Sequence, residues 1–109
     1  LPRAIRDVYK RQQQYLHQGL SLNEIAIAQN VKLNTIEDHI LELFIKGYEK
    51  NYENYVDKKD MFQFTNYYVE HKGERLKVYK KEFDNLSYFE IKLMIVGIER
   101  GEINVRRQS

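Results

Sequence analysis

Ser21–Gly47, SLNEIAIAQNVKLNTIEDHILELFIKG, decides the architecture of this 109-residue chain. Ser21-Leu-Asn-Glu24 has the spacing of a capping box. The Ser21 hydroxyl can accept from an early helix amide while Glu24 reaches back to the Ser21 amide. The helix it opens is expected to run to about Gln29. Asn30 tolerates the left-handed conformation that a helix C-terminus needs, and Val31 is expected to plug back into the core. Asn34 is the next expected N-cap, with Glu37 three residues on. The following helix is expected from about Thr35 to Lys46, with Gly47 ending it. Ile36, Ile40, Leu43 and Phe44 recur at i, i+4, i+7 and i+8, one apolar face.

A small residue where two helices touch, a sharp turn and apolar locking residues together make a helix-turn-helix. Ala26, Asn30, and the set Val31, Ile36 and Ile40 fill those roles over 21–47. The outward stripe of the second helix is Thr35, Asp38, Glu42, Lys46 and Glu49, with Glu37 beside it. Phosphates repel carboxylates, and base edges are read mostly by Arg, Lys, Asn and Gln. The suitable donors here are Lys32, Asn34, Thr35 and Lys46; Asp38 and Glu42 suit a protein-docking face instead.

Helical periodicity extends to the rest of the chain. A first helix is expected to end near His17, with Gly19 as its breaker. Tyr48–Val56 reads as a connection with a turn of helix. Asp57 can cap a helix from Lys58 to about His71, with Met61, Phe64, Tyr68 and Phe62 as inward candidates. Glu74 to about Phe83 makes a shorter helix with Leu76, Tyr79 and Phe83 inward. Ser87-Tyr-Phe-Glu90 is a second capping box, opening a helix to about Arg100. Its apolar positions Tyr88, Ile91, Leu93, Met94, Ile95, Val96 and Ile98 wrap most of the way round, so it should be central. Gly101–Arg107 could form a short strand. The expected class is all-α, a helix-turn-helix with additional C-terminal helices over 57–101, five to six helices in all. One helical domain is expected over 13–103, with 104–109 as a tail.

Leu1–Gln12, LPRAIRDVYKRQ, resembles translated adapter read-through at the ends of metagenomic gene fragments, and is expected to be non-native. It carries four basic residues and one acid. Without it the chain has 14 basic and 15 acidic residues, so the whole-chain net charge of +2 is no nucleic-acid footprint. A second positive stretch, Lys72, Arg75, Lys77, Lys80 and Lys81, has Tyr67, Tyr68 and Tyr79 nearby. That combination suits single strands, although Glu70, Glu74, Glu82 and Asp84 are interleaved.

There is no cysteine, and no apolar run approaches the roughly 18 residues of a membrane span. A soluble, cytoplasmic, non-enzymatic protein is expected. His17, His39 and His71 are scattered over separate helices, and His39 is expected to pack partly buried. No metalloprotease, phosphate-loop or dinucleotide motif occurs. No cofactor, metal, membrane or small-molecule substrate is expected.

From about Tyr15 to Ile103 the chain resembles the helix-turn-helix domain at the C-terminus of bacterial RecQ-type DNA helicases, a module that also ends a small companion protein. The matching blocks are Gln18–Ala26, Asn34–Leu43, Gly73–Phe83 and Leu86–Gly97. The helix-turn-helix alone would also resemble LuxR-type transcription regulators. The resemblance implies an accessory, non-catalytic DNA-binding module with two partners, duplex or forked DNA and a RecQ-like helicase in cis or trans. From donor chemistry and position, the expected DNA contacts are Lys32, Asn34, Thr35 and Lys46, with Lys77, Lys80 and Lys81 as backbone contacts.

Overall fold

Six α-helices and one 3₁₀ turn account for the regular structure of residues 2–103, which the computed structural model describes. No strand is formed among the described residues, and the chain is all-α. Contacts group it into two units, residues 1–49 and residues 50–109.

The first unit holds α1 (Arg3–His17), α2 (Leu22–Ala28) and α3 (Leu33–Ile45). Both α1 and α2 pack on α3, which is therefore its organising helix. Ile36, Ile40, Leu43 and Phe44 on α3 are at most 3% exposed, and they meet buried Ile25 and Ala26 of α2. Each such large apolar side chain contributes about 1.5–3 kcal/mol by leaving water. The Ser21–Glu24 capping box forms: Glu24 N–H donates to Ser21 Oγ at 3.2 Å and Ser21 N–H to Glu24 Oε1 at 2.8 Å.

Asn30 adopts φ 57°, the one left-handed non-glycine residue among those described. Its amide donates to the Ile27 carbonyl at 3.1 Å, and the Val31 amide to the Ala26 carbonyl at 3.0 Å. This bond pair is a Schellman stop, and it satisfies two carbonyls the helix end would otherwise orphan. The same pairing closes α1 at Gly19 and α3 at Gly47.

Three expectations for this unit are corrected. Asn34 is not the cap of α3: the helix starts at Leu33, Lys32 occupies the cap position, and no side chain caps it. Val31 is 40% exposed: the Schellman stop ties its amide to the Ala26 carbonyl without burying its side chain. His39 is exposed, one position round the helix from buried Ile40.

The second unit holds the 3₁₀ turn (Tyr52–Asn54), α4 (Lys58–Glu70), α5 (Leu76–Glu82) and α6 (Tyr88–Glu99). All three other elements pack on α6. Phe89, Ile91, Leu93, Met94, Gly97 and Ile98 of α6 are buried, as its wrap-around apolar pattern requires. The first apolar contact is Phe89 rather than Tyr88, which is 45% exposed. Asp57 caps α4 through the Lys59 amide, and the Ser87–Glu90 box caps α6. On α4, Phe64, Thr65 and Tyr68 are buried, whereas Phe62 is exposed and Met61 half-buried. Phe64 is the hub of an aromatic cluster, with ring centroids 5.8 Å from Tyr68, 5.6 Å from Tyr79 and 5.4 Å from Phe83.

Gly97 lets two groups reach the α6 backbone. A Cβ there would stand 2.5 Å from Ile103 Cδ1 and 2.9 Å from Tyr52 Cε1. Tyr52 then donates its hydroxyl to Glu102 at 2.6 Å. The short strand considered over Gly101–Arg107 falls mostly outside the described residues; residues 101–103 are turn and coil. The 104–109 tail also lies outside them.

Candidate nucleic-acid interface

The residues singled out in the sequence separate into three places. Lys32, Asn34 and Thr35 sit together at the start of α3, with Lys32 and Asn34 exposed and Thr35 half-exposed. The Schellman stop at Asn30 positions them, because it sets the path from α2 into α3 within the four residues 29–32. Lys32 is extended, at φ −75° and ψ 152°, so its side chain leaves just ahead of the first turn of α3. Early helix amides carry positive partial charge, and an ammonium beside them adds to it.

Asp38 and Glu42 follow on the same helix, both exposed. Lys46 stands 14 residues from Lys32, about 20 Å along the helix axis. It is paired: Lys46 Nζ lies 2.9 Å from Glu42 Oε1. Its hydrogen bond to Glu42 holds the Lys46 ammonium above its ordinary pKa, and the same bond holds the Glu42 carboxyl below its own. A phosphate would therefore compete with Glu42 for the Lys46 ammonium. Glu49, expected on the outward stripe, is only 8% exposed and accepts from Gln13 Nε2 at 2.8 Å. A partner 36 positions away left no mark in the local pattern.

Lys77, Lys80 and Lys81 lie on α5 of the second unit. Lys77 and Lys81 are exposed, one turn apart. Lys80 is half-buried, and its ammonium donates to the Asp84 carbonyl at 2.8 Å. Of the nearby tyrosines, Tyr68 and Tyr79 are buried. Tyr67 is half-exposed and stacks on His71, with ring centroids 3.9 Å apart and planes 9° from parallel. The i, i+4 spacing at the end of α4 was the only sequence signal for that stack.

No cluster of three or more metal-ligating side chains occurs among the described residues. No helix among them is long and apolar enough to cross a membrane.

A family model described as a helix-turn-helix domain matches residues 9–95. No curated protein and no solved structure matches the chain.

Proposed function

The chain belongs to the helix-turn-helix domain family, and from that premise we propose that it is a non-catalytic DNA-binding module. The observation that carries the reading is the α2–turn–α3 unit itself. Its crossing is locked by buried Ala26, Ile36 and Ile40, and it presents Lys32, Asn34 and Thr35 at one exposed end. Those side chains can donate to phosphate oxygens or base edges. Lys77 and Lys81 offer further backbone contacts, while Lys46 contributes less because Glu42 holds it.

The resemblance to the C-terminal module of RecQ-type helicases supplies the finer proposal. The module would serve a RecQ-like helicase, in cis or in trans, by raising the local concentration of the motor at its DNA. A second reading, a protein-docking face on α3, is favoured by exposed Asp38 and Glu42 and by the charge of residues 13–49, two basic against five acidic. A LuxR-like regulator is a third reading, and dimeric binding to a palindromic site would single it out.

Fluorescence anisotropy with duplex and forked DNA over a salt series tests the proposal, using the full chain and a variant in which the exposed Arg3, Arg6, Lys10 and Arg11 of α1 are replaced by Gln. Salt-sensitive binding by both, weakened in Lys32→Glu, is expected. Binding that needs those four cations, or none at low salt, would overturn it. A helicase association lost on charge reversal at Asp38 and Glu42 would establish the second reading.

A further inference from the structure

Three features of the second unit stand close together on the stretch from α4 into α5. Residues 71–82 contain Lys72, Arg75, Lys77, Lys80 and Lys81 against two acids, Glu74 and Glu82. The connection between the helices is braced from within: the buried Tyr79 hydroxyl donates to the His71 carbonyl and accepts from the Glu74 amide at 3.2 Å. At the head of that connection the Tyr67 and His71 rings are already stacked. His71 is exposed, and its Nδ1 lies 2.8 Å from the Tyr67 carbonyl, which fixes the ring. Tyr67 is held in turn by edge contacts to Tyr79 at 6.3 Å and Phe83 at 5.4 Å.

A flat ring pair with an exposed outer member is costly to display unless packing keeps it in place, and here packing does. Such a platform binds an unpaired base without further ordering, and base–aromatic stacking tolerates any sequence. Duplex DNA cannot use it, because its bases are already stacked on each other. We propose that the α4–α5 segment is a single-stranded DNA subsite, with a base on His71 and the adjoining phosphates on Arg75, Lys77 and Lys81. The inference rests on the reading of the chain as a nucleic-acid module and assigns the second unit its own DNA form.

The acids place limits on it. Lys72 is shared with Glu99 at 4.0 Å, and Lys80 is held by Asp84. Burial, then Glu82 and Glu74, hold the Tyr67 hydroxyl above its ordinary pKa, so carboxylates face that edge of the platform. The phosphates therefore belong on the Lys77–Lys81 stripe of α5.

The test is anisotropy of the full chain with labelled oligothymidine of about a dozen nucleotides, within the site sizes of single-strand binders. His71→Ala is expected to weaken binding about 5- to 20-fold, and His71→Phe to restore it. Lys77→Glu with Lys81→Glu should lower the salt slope by about 1.4, at roughly 0.7 per phosphate contact. Lys32→Glu should leave oligothymidine binding unchanged while weakening duplex binding, so the two surfaces fail separately. All four positions are exposed, and circular dichroism checks that the variants fold. Absent binding at low salt, or equal affinities for His71→Ala and His71→Phe, would overturn the platform. Tighter binding of oligouridine would overturn its assignment to DNA.

Discussion

The helix-turn-helix stretch, residues 21–47, carries two basic and four acidic side chains, whereas residues 50–109 carry twelve and ten. Each unit is nonetheless organised in one way, around a single helix on which the others pack: α3 in the first and α6 in the second. The helices differ in what they leave outside. α3 buries one face and exposes Asn34, Asp38, His39 and Glu42, while α6 is buried nearly all round. The stretch with the shape of a groove reader is thus the one short of cations. The cations lie mainly where no groove-reading helix does. Shape and charge are separable properties of a fold, and a DNA-binding label drawn from shape alone says little about which face binds.

The sharpest way to break this contrast is at the aromatic hub of the second unit. Phe64→Ala removes the ring that Tyr68, Tyr79 and Phe83 surround, and should cost about 3–5 kcal/mol in urea unfolding. A loss below about 1 kcal/mol would mean that the cluster is not a tightly packed core. Gly97→Ala comes next. The added methyl collides with Ile103 and Tyr52, and overpacking of this kind costs about 1–3 kcal/mol. An unchanged thermal midpoint would show that the Ile103 side chain simply moves aside.

In the first unit, Asn30→Ala should cost about 1–2 kcal/mol, since alanine lacks the local hydrogen bonding that eases φ 57°. Hydrogen exchange of the α2 and α3 amides would locate the loss, and protection lost elsewhere instead would sink the assignment. Ser21→Ala should cost about 1 kcal/mol by uncapping α2. Its pH dependence comes from Glu24. The Ser21 backbone and side-chain hydrogen bonds hold the folded Glu24 carboxyl below its unfolded value of 4.5. The stability it contributes is therefore present above that value and is lost as pH falls through the depressed one. Comparing wild type with Glu24→Gln from pH 7 to pH 2 should show the two curves converging at the acid end. Parallel curves would sink the linkage.

How far the sequence could be read follows from the range of each interaction. Both capping boxes were legible, because their partners lie three residues apart. The left-handed Asn30 was legible too, since few residue types accept that conformation. Asn34 misled because Asn-x-x-Glu resembles a cap, while the Schellman stop had already fixed the start of α3 two residues earlier. Val31 misled because the stop fixes its amide and not the burial of its side chain. Glu49 was invisible as a buried residue, since Gln13 reaches it from α1. In the candidate site, the acidic α3 face and the basic α5 stretch were legible as composition. The Lys46–Glu42 pair stood at readable spacing, yet its consequence for Lys46 needed the geometry. The Tyr67–His71 platform depends on Tyr79 and Phe83 bracing it from another helix, and no local pattern records that.

The chain has nine tyrosines and no tryptophan, so its near-ultraviolet spectrum is the spectrum of its phenols. Two of them answer to carboxylates: Tyr52 donates to Glu102 and Tyr68 to Glu99. Burial first, then those hydrogen bonds, push the Tyr68 phenol up to about 12 and the Tyr52 phenol well above its ordinary range. In an alkaline absorbance titration these two chromophores should stay colourless while the pH passes 10, the ordinary phenol value. They hold their protons only while folded, so the stability they contribute is full below pH 10 and drains away as the pH climbs beyond it. The late phenolate signal would then arrive together with unfolding of the second unit, making the molecule an optical reporter of its own collapse in base.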